Sequence, residues 1–465
     1  MISMLIAITV ILYVALQLED RLKIPSPLSL IALSFVYHYL FQGADLTGDP
    51  DHFAELVLLL LPVLLIADAM ELEVEDLKKH GLSLFFLAGV AVALSVVVAL
   101  FTADWFFGDY HLSTAAVIVM FSMVLATDPV SVISIFSKFS LPHELKFLAE
   151  GESLFNDATA LIVFVFVGLY ALEGGEITGG YIVETTLFVV LGSSLLGVAC
   201  GFVGLNLLKT TENRIAELMV LLVTGYAGFT IAEHFYALLN LLGMHSHKHM
   251  SGILTCIFAA ITVNHYMTRE IAQDDAEISS QEELIEEQGE KKTKRSATMR
   301  ALRALRITIE ERARHLRSKE DVQLMALVAN TLLFIAMAEI IDLDLLWRYR
   351  AEILAMFVAT SLIRAVMMGS FAWLTNQTRK MRNVNFRWWI VLTFAGIKGG
   401  LSVVMLTMIP HDFPHFEMFK AVVIGVVLLS TFVYSAVLLV AIALCQEAFT
   451  REVEEERAGI TEGKW

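Results

Sequence analysis

Cysteine is almost missing from this sequence. The three present, Cys200, Cys256 and Cys445, lie apart in apolar runs without CxxC spacing. That argues against a disulfide framework or a cysteine-held metal and leaves them as small packing residues. Charge is scarce too: Asp, Glu, Lys and Arg make up 18% of the 465 residues, where a soluble chain carries about a quarter. What replaces the charge excludes an ordinary soluble domain. The chain is 57% hydrophobic with a mean hydropathy of +0.68, and apolar runs of about 20 residues, the length a helix needs to cross a bilayer, recur along it. It reads as an all-α polytopic membrane protein. The opening "MISMLIAITVILYVALQ" lacks a basic n-region and a small-residue cleavage site, so it is expected to stay as the first span. The net charge of −16 sits largely in loops and in the tail "EAFTREVEEERAG", and is no argument for an acidic substrate.

Apolar segments fall at roughly 1–17, 27–42, 54–75, 82–103, 113–137, 147–172, 181–208, 215–239, 249–267, 321–343, 350–374, 388–409 and 418–445, which makes thirteen spans. Their connections alternate in basic content. "EDRLK", "DLKKHG", "SKFSLPHELK", "LKTTENR", residues 268–320 and "TRKMRNVNFR" carry Lys and Arg; the connections between them are nearly free of both, Lys248, Arg348 and Arg350 apart. By the positive-inside rule the first set is cytoplasmic, which puts the N-terminus outside and the C-terminus inside. The domain plan is a membrane part over 1–267, a charged cytoplasmic loop over 268–320, a second membrane part over 321–445 and an acidic cytoplasmic tail over 446–465. The loop is acidic in its first half and basic in its second. Its plainer reading is a solvated connection whose halves partly pair. The sharper one is an amphipathic helix over 291–317 that meets anionic lipid or a regulator.

Ionisable side chains inside spans are expensive, on the order of 3 kcal/mol or more, so each is a functional hypothesis. Counting from cytoplasmic basic markers, Asp128 is ten residues from Lys138, Asp157 eleven from Lys146, Lys398 eleven from Arg387 and Asp68 ten from Lys78. At 1.5 Å per residue each lies about 15 Å in, near mid-membrane. Arg364, fifteen from Arg379, is somewhat deeper. A shared depth points to a shared site. Two backbone interruptions fall at the same level: Pro129 directly after Asp128, and Gly396, Gly399 and Gly400 around Lys398 in "FAGIKGGLSVV". If spans 1–6 and 8–13 are two inverted six-helix repeats, these are the corresponding fifth and twelfth spans. Paired discontinuous helices are the sequence pointer to a transporter's binding site.

The sixth span carries "GESLFNDATA", residues 151–160. Ser153 and Asp157 stand i, i+4 and share a face, as do Glu152 and Asn156. Oxygen donors from Asp157, Ser153, Asp128 and the backbone near Thr127 suit a dehydrated monovalent cation, whereas a transition metal would want His or Cys clusters. Glu152 reads as a structural acid paired with a buried base such as Arg364. In the Asn156–Asp157 pair only one residue carries charge, so it binds one proton or one monovalent cation. His245, His247 and His249 in "HSHKHM" read as ordinary loop histidines, and Glu233 and His234 as structural.

With "ATDPVSV", "SLIRAVMMG", "FAGIKGGLSVVM" and "LLIADAMELEVEDLKKHG" added, spread over residues 55–405 in family order, the sequence resembles the NhaP/NHE-type monovalent cation/proton antiporters. The resemblance implies that Asp157 is the essential cation/proton-binding aspartate and that Asn156 marks the electroneutral branch. It also implies ligands from Ser153, Thr127 and Asp128, a structural ion pair between Glu152 and Arg364, and a homodimer with an elevator-like movement. No cofactor is implied beyond transported Na+ (or Li+ or K+) and H+, and the partners are membrane lipid and a second copy, with no nucleic acid. A plasma (inner) membrane location and a part in pH homeostasis follow from the same resemblance. Asp68 stands where the family usually has Glu, so it is a shorter candidate ligand. "GIKG" replaces the family's "GLRG", so Lys398 keeps a charge in the broken helix but lacks the planar fork of arginine. Glu339 stands where a small or apolar residue is expected.

The expected activity is therefore not enzymatic. Proton and sodium compete for Asp157, and only an occupied, neutralised site crosses, one for one, by alternating access. A potassium/proton antiporter of the same fold is the alternative. An intramembrane aspartyl protease would also place two aspartates at equal depth, but its GxGD pattern is absent and Asn156 and Lys398 would have no role in it.

Overall fold

The structure is a computed structural model that describes residues 2–22, 24–40, 50–241, 249–290, 295–378, 383–410 and 412–458. His245 and His247 lie outside the described residues. Among the described residues the regular elements are all helices. Eight are long and apolar enough to cross a membrane, and Ser26–Leu40 is a shorter apolar helix. The helices Ile2–Leu22, Pro50–Glu71 and Gly252–Glu290 also cover apolar stretches. Helices suit that solvent, because in hydrocarbon backbone N–H and C=O groups need protein partners and a helix supplies them within its own segment.

The chain divides into two compact units, one of residues 1–61, 76–186 and 329–465, the other of 62–75 and 187–328. In the smaller unit, Gly179–Leu208 is tied to Gly252–Glu290 by buried hydroxyls. Ser251 N–H donates to Ser193 Oγ at 2.8 Å, and Thr255 Oγ1 donates to Ser193 O at 3.2 Å. Helix Gly252–Glu290 continues well past its apolar part, and Arg295–Glu339 begins well before its own. Most of 268–320 is thus helical. Its two halves meet through the ion pair of Arg312 with Asp275. The buried Glu217 takes Arg314 Nε at 3.0 Å and faces His315 Nδ1 at 2.7 Å, which ties the basic half to helix Arg214–Glu233. Lys319 Nζ donates to Thr268 Oγ1 at 2.9 Å. Glu339 is the last residue of its helix.

The larger unit holds both interruptions. Helix Thr114–Leu125 stops, residues 126–128 leave the helix, and Pro129–Phe136 resumes the span. Pro129 stands at the first position of the new half-helix, where a missing N–H costs nothing, and Asp128 is its N-cap in extended conformation. In the second broken span Phe386–Phe394 ends before Gly400–Thr407 begins. Two glycines are needed there for close approach. A Cβ on Gly396 would lie 2.1 Å from Arg364 Nε, and one on Gly399 would lie 2.8 Å from Asp128 Cβ. A side chain at Gly396 would displace the Arg364 guanidinium, and one at Gly399 would push the two broken spans apart.

Candidate functional site

The two interruptions cross. The N–H of Asp128 donates to the carbonyl of Ile397 at 2.7 Å, so backbone groups that lost their helical partners satisfy each other inside the unit, as a buried chain break requires. Four half-helix ends converge there, and two side chains answer their dipoles. The Asp128 carboxylate accepts from Val130 N–H at 3.2 Å and Ser131 N–H at 3.3 Å, and also from the Ser131 hydroxyl. It therefore caps the positive end of Pro129–Phe136. Lys398 Nζ lies 3.4 Å from Leu125 O at the negative end of Thr114–Leu125, a long ion–dipole contact. Its own backbone N–H is held by Ser430 Oγ at 3.0 Å. Lys398 is 3% exposed, so its ammonium depends on such dipoles and on neighbouring carboxylates for compensation.

Helix His143–Val163 brings the polar motif against this crossing. Thr127 N–H, left without a helical partner by the break, donates to Asp157 Oδ1 at 2.7 Å. Thr127 Oγ1 and Ser153 Oγ are 2.8 Å apart. Asn156 Nδ2 donates to Leu125 O at 2.9 Å and to Thr127 Oγ1 at 3.2 Å. Its Oδ1 is buried and accepts no hydrogen bond from the described residues. Asp157, Thr127, Ser153 and Asn156 are all less than a tenth exposed. The result is a knot of oxygens with one carboxylate, Asp157, tied directly to the unwound backbone.

Glu152 stands apart from that knot. Its carboxylate takes Arg364 Nη1 at 3.0 Å and Nη2 at 2.8 Å, a bidentate pair. Arg364 also donates from Nε to Thr393 O and from Nη2 to Leu392 O, each at 2.9 Å, which caps the last turn of Phe386–Phe394. The pair thus fixes helix His143–Val163 to a half-helix of the second broken span. Asp68 belongs to the smaller unit, on helix Pro50–Glu71, and is half-buried there. Sequence reasoning missed Ser131 and Ser430. "DPVS" contains a usable signal for the first, since an aspartate before proline with a serine three residues on is a helix-start pattern. The pairing of Ser430 with Lys398 leaves no sequence mark.

A profile of the transmembrane sodium/hydrogen exchanger family matches residues 5–280. The chain belongs to the sodium/hydrogen exchanger family. It is an integral membrane protein, as its apolar helices already require. Among relatives, this family member is 26% identical over 380 residues to the Na+/H+ antiporter NhaG of Bacillus atrophaeus, covering 81% of this chain and 60% of that one. It is 25% identical over 389 residues to the Na+/H+ antiporter NhaH of Halobacillus aidingensis, covering 82% and 80%. Its fold matches the solved sodium proton antiporter MjNhaP1 from Methanocaldococcus jannaschii with a TM-score of 0.69 at 13% identity, over 93% of this chain and 98% of that one. At that identity the likeness concerns the fold.

Proposed function

We propose that this exchanger-family chain moves one monovalent cation, sodium in the first instance, against one proton, with both competing for Asp157. The observation that carries the reading is the environment of that carboxylate: a buried aspartate on helix His143–Val163, bonded to the unwound Thr127 backbone, beside the hydroxyls of Thr127 and Ser153. Thr127 and Ser153 supply neutral oxygens at the same place, suited to replacing part of a cation's water. Asn156 holds the unwound segment in register through Leu125 O and Thr127 Oγ1, and its remaining oxygen adds a neutral dipole rather than a second charge. Asp128 and Lys398 serve as fixed charges that compensate the half-helix ends, with Asp128 reaching the ion only if it leaves its cap.

The stoichiometry follows from the charges that remain. Glu152 is matched by Arg364, and Asp128 is engaged with the start of its half-helix. Asp157 is then the one group whose charge changes with its occupant, so a proton or a monovalent cation neutralises it equally and the site crosses only when occupied. A net charge crossing water-free hydrocarbon would cost several kcal/mol, which disfavours movement of the empty site and couples the two ions. The sign of the pH effect is fixed by this competition. As pH falls, protonated Asp157 excludes the cation, so exchange fades in acid and is present above that range.

Purified protein in proteoliposomes tests the reading, with sodium, lithium and potassium pulses compared across pH by a trapped pH dye. Sodium-driven alkalinisation or acidification without a developing membrane potential is expected. Exchange that generates a potential contradicts the one-for-one count. Exchange with potassium alone moves the chain to the potassium/proton alternative with the same site.

A further inference from the structure

The C-terminal helix Gln446–Arg457 is short and strongly acidic, yet it is docked by buried groups. Phe449 is 1% exposed and Glu452 7%. A carboxylate that far from water must be fully partnered, and Glu452 is. Its Oε1 accepts from Asn385 Nδ2 at 3.1 Å and from the Arg387 guanidinium, and its Oε2 accepts from Trp388 Nε1 at 2.9 Å. All three donors sit at the start of Phe386–Phe394, the first half of the second broken span. Asn385 is the N-cap of that half-helix and accepts from Trp388 N–H through Oδ1 at 3.0 Å. Glu452, by holding the amide nitrogen, sets which way the cap faces.

One turn further along, Glu456 Oε2 accepts from His143 N–H at 3.1 Å. His143 is the first residue of the helix that carries Glu152, Ser153, Asn156 and Asp157, and that helix has no side-chain cap of its own because Pro142 stands at the N-cap. Residues 452 and 456 are i, i+4 and therefore share one face of the tail helix. That face bridges the starts of the two helices whose other parts form the ion site. The bridge also has a third tie. The tail helix follows directly on Phe416–Leu444, which supplies Ser430 to the Lys398 backbone.

We propose that Glu452 and Glu456 are positioning residues for exchange: the C-terminal helix clamps helix His143–Val163 to half-helix Phe386–Phe394 and so holds Asp157 in register with the crossing. The proposal rests on Asp157 being the ion site. Each carboxylate also lies at a helix N-terminus, where a negative charge complements the dipole, so the clamp is electrostatic as well as steric. Loosening it lets the two helices shift, and sub-ångström shifts in a ligand cage weaken a small cation more than a proton, which needs one oxygen. The clamp therefore tunes the competition at Asp157 without touching either ion.

The test uses the full chain in proteoliposomes, with Glu452→Gln, Glu456→Ala and the double variant. For each, the apparent KM for sodium, the maximal rate per folded protein and the pH at which exchange half-fades are measured. The KM is expected to rise on the order of tenfold, the lower end of what loss of a ligand-orienting partner does to a metal site. At sodium well above KM, weaker cation binding lets the proton win sooner, so the half-fading pH is expected to move upward, by about one unit for a tenfold rise. A merely structural tail would lower the amount of folded protein and leave KM and the pH midpoint where they were; that result overturns the proposal. If Glu452→Gln fails to fold, Glu456→Ala decides alone, because Glu456 is only partly buried where it meets His143. Asp157→Asn in the same vesicles separates the two readings. Exchange by that variant sinks the site itself, while a dead Asp157→Asn beside clamp variants of unchanged KM sinks only the clamp.

Discussion

Breaking the Glu152–Arg364 pair from its two sides should not cost the same. Arg364 makes four hydrogen bonds, two to Glu152 and one each to Leu392 O and Thr393 O. Arg364→Met leaves a buried carboxylate without its base, about 3–5 kcal/mol, and opens two helix-end carbonyls at about 1 kcal/mol each. The total is about 5–7 kcal/mol. Glu152→Gln removes the charge but lets the amide oxygen keep one guanidinium bond. The guanidinium also stays on the two carbonyls at the negative end of its half-helix, so the cost is about 2–3 kcal/mol, that of one charge-assisted bond. Unfolding in mixed detergent–SDS micelles, followed by tryptophan fluorescence, reads the difference directly. A gap of at least about 2 kcal/mol, with the arginine variant the worse, is expected. Equal losses, or a larger loss for Glu152→Gln, would refute the idea that Arg364 works chiefly as the cap that joins two helices.

Thr127→Val removes the hydroxyl shared by Ser153 and Asn156 while keeping the backbone N–H on Asp157. The apparent sodium affinity should fall about tenfold, the worth of one buried hydrogen bond near 1.4 kcal/mol, with the protein still folded; an unchanged KM counts against the ligand role. Gly396→Ala places a methyl 2.1 Å from the Arg364 Nε position, so the pair must shift, and loss of both stability and exchange is expected in thermal unfolding and vesicle assays. Wild-type exchange measured at saturating and at low sodium should lose activity at a lower pH in the saturating case. A pH midpoint independent of sodium would show that the two ions do not share a site.

Much of this site could be read from letters alone because membrane burial makes polarity expensive. Asp128, Asp157 and Lys398 stand out in apolar runs, and Pro129 and Gly396 mark where helices cannot run straight. What could not be read is which orphaned backbone group meets which. Asp128 N–H and Ile397 O are far apart in sequence and meet only in the folded unit, and no residue type advertises that bond. Asp128 illustrates the limit well. Its depth says that it matters, but only the coordinates show both of its oxygens turned to the Pro129–Phe136 half-helix. The stretch 268–320 shows the opposite bias. Its charge blocks mark it as a connection, but its Glu, Ala, Arg and Leu are good helix formers, and the two flanking spans extend as helices through most of it. The acidic tail shows in the sequence only as composition. Its i, i+4 glutamates acquire meaning only when Trp388 and His143 are seen beneath them.

The central claim is that one carboxylate binds both ions in turn. Asp157→Asn keeps the volume of the side chain and an oxygen able to accept from Thr127 N–H, so the fold should survive. Wild type and variant, reconstituted at equal density, should be compared for sodium-driven proton movement across the pH range in which wild type is active. Complete loss of exchange, with thermal stability preserved, is the predicted result. Exchange at a comparable rate in the folded variant would contradict the account.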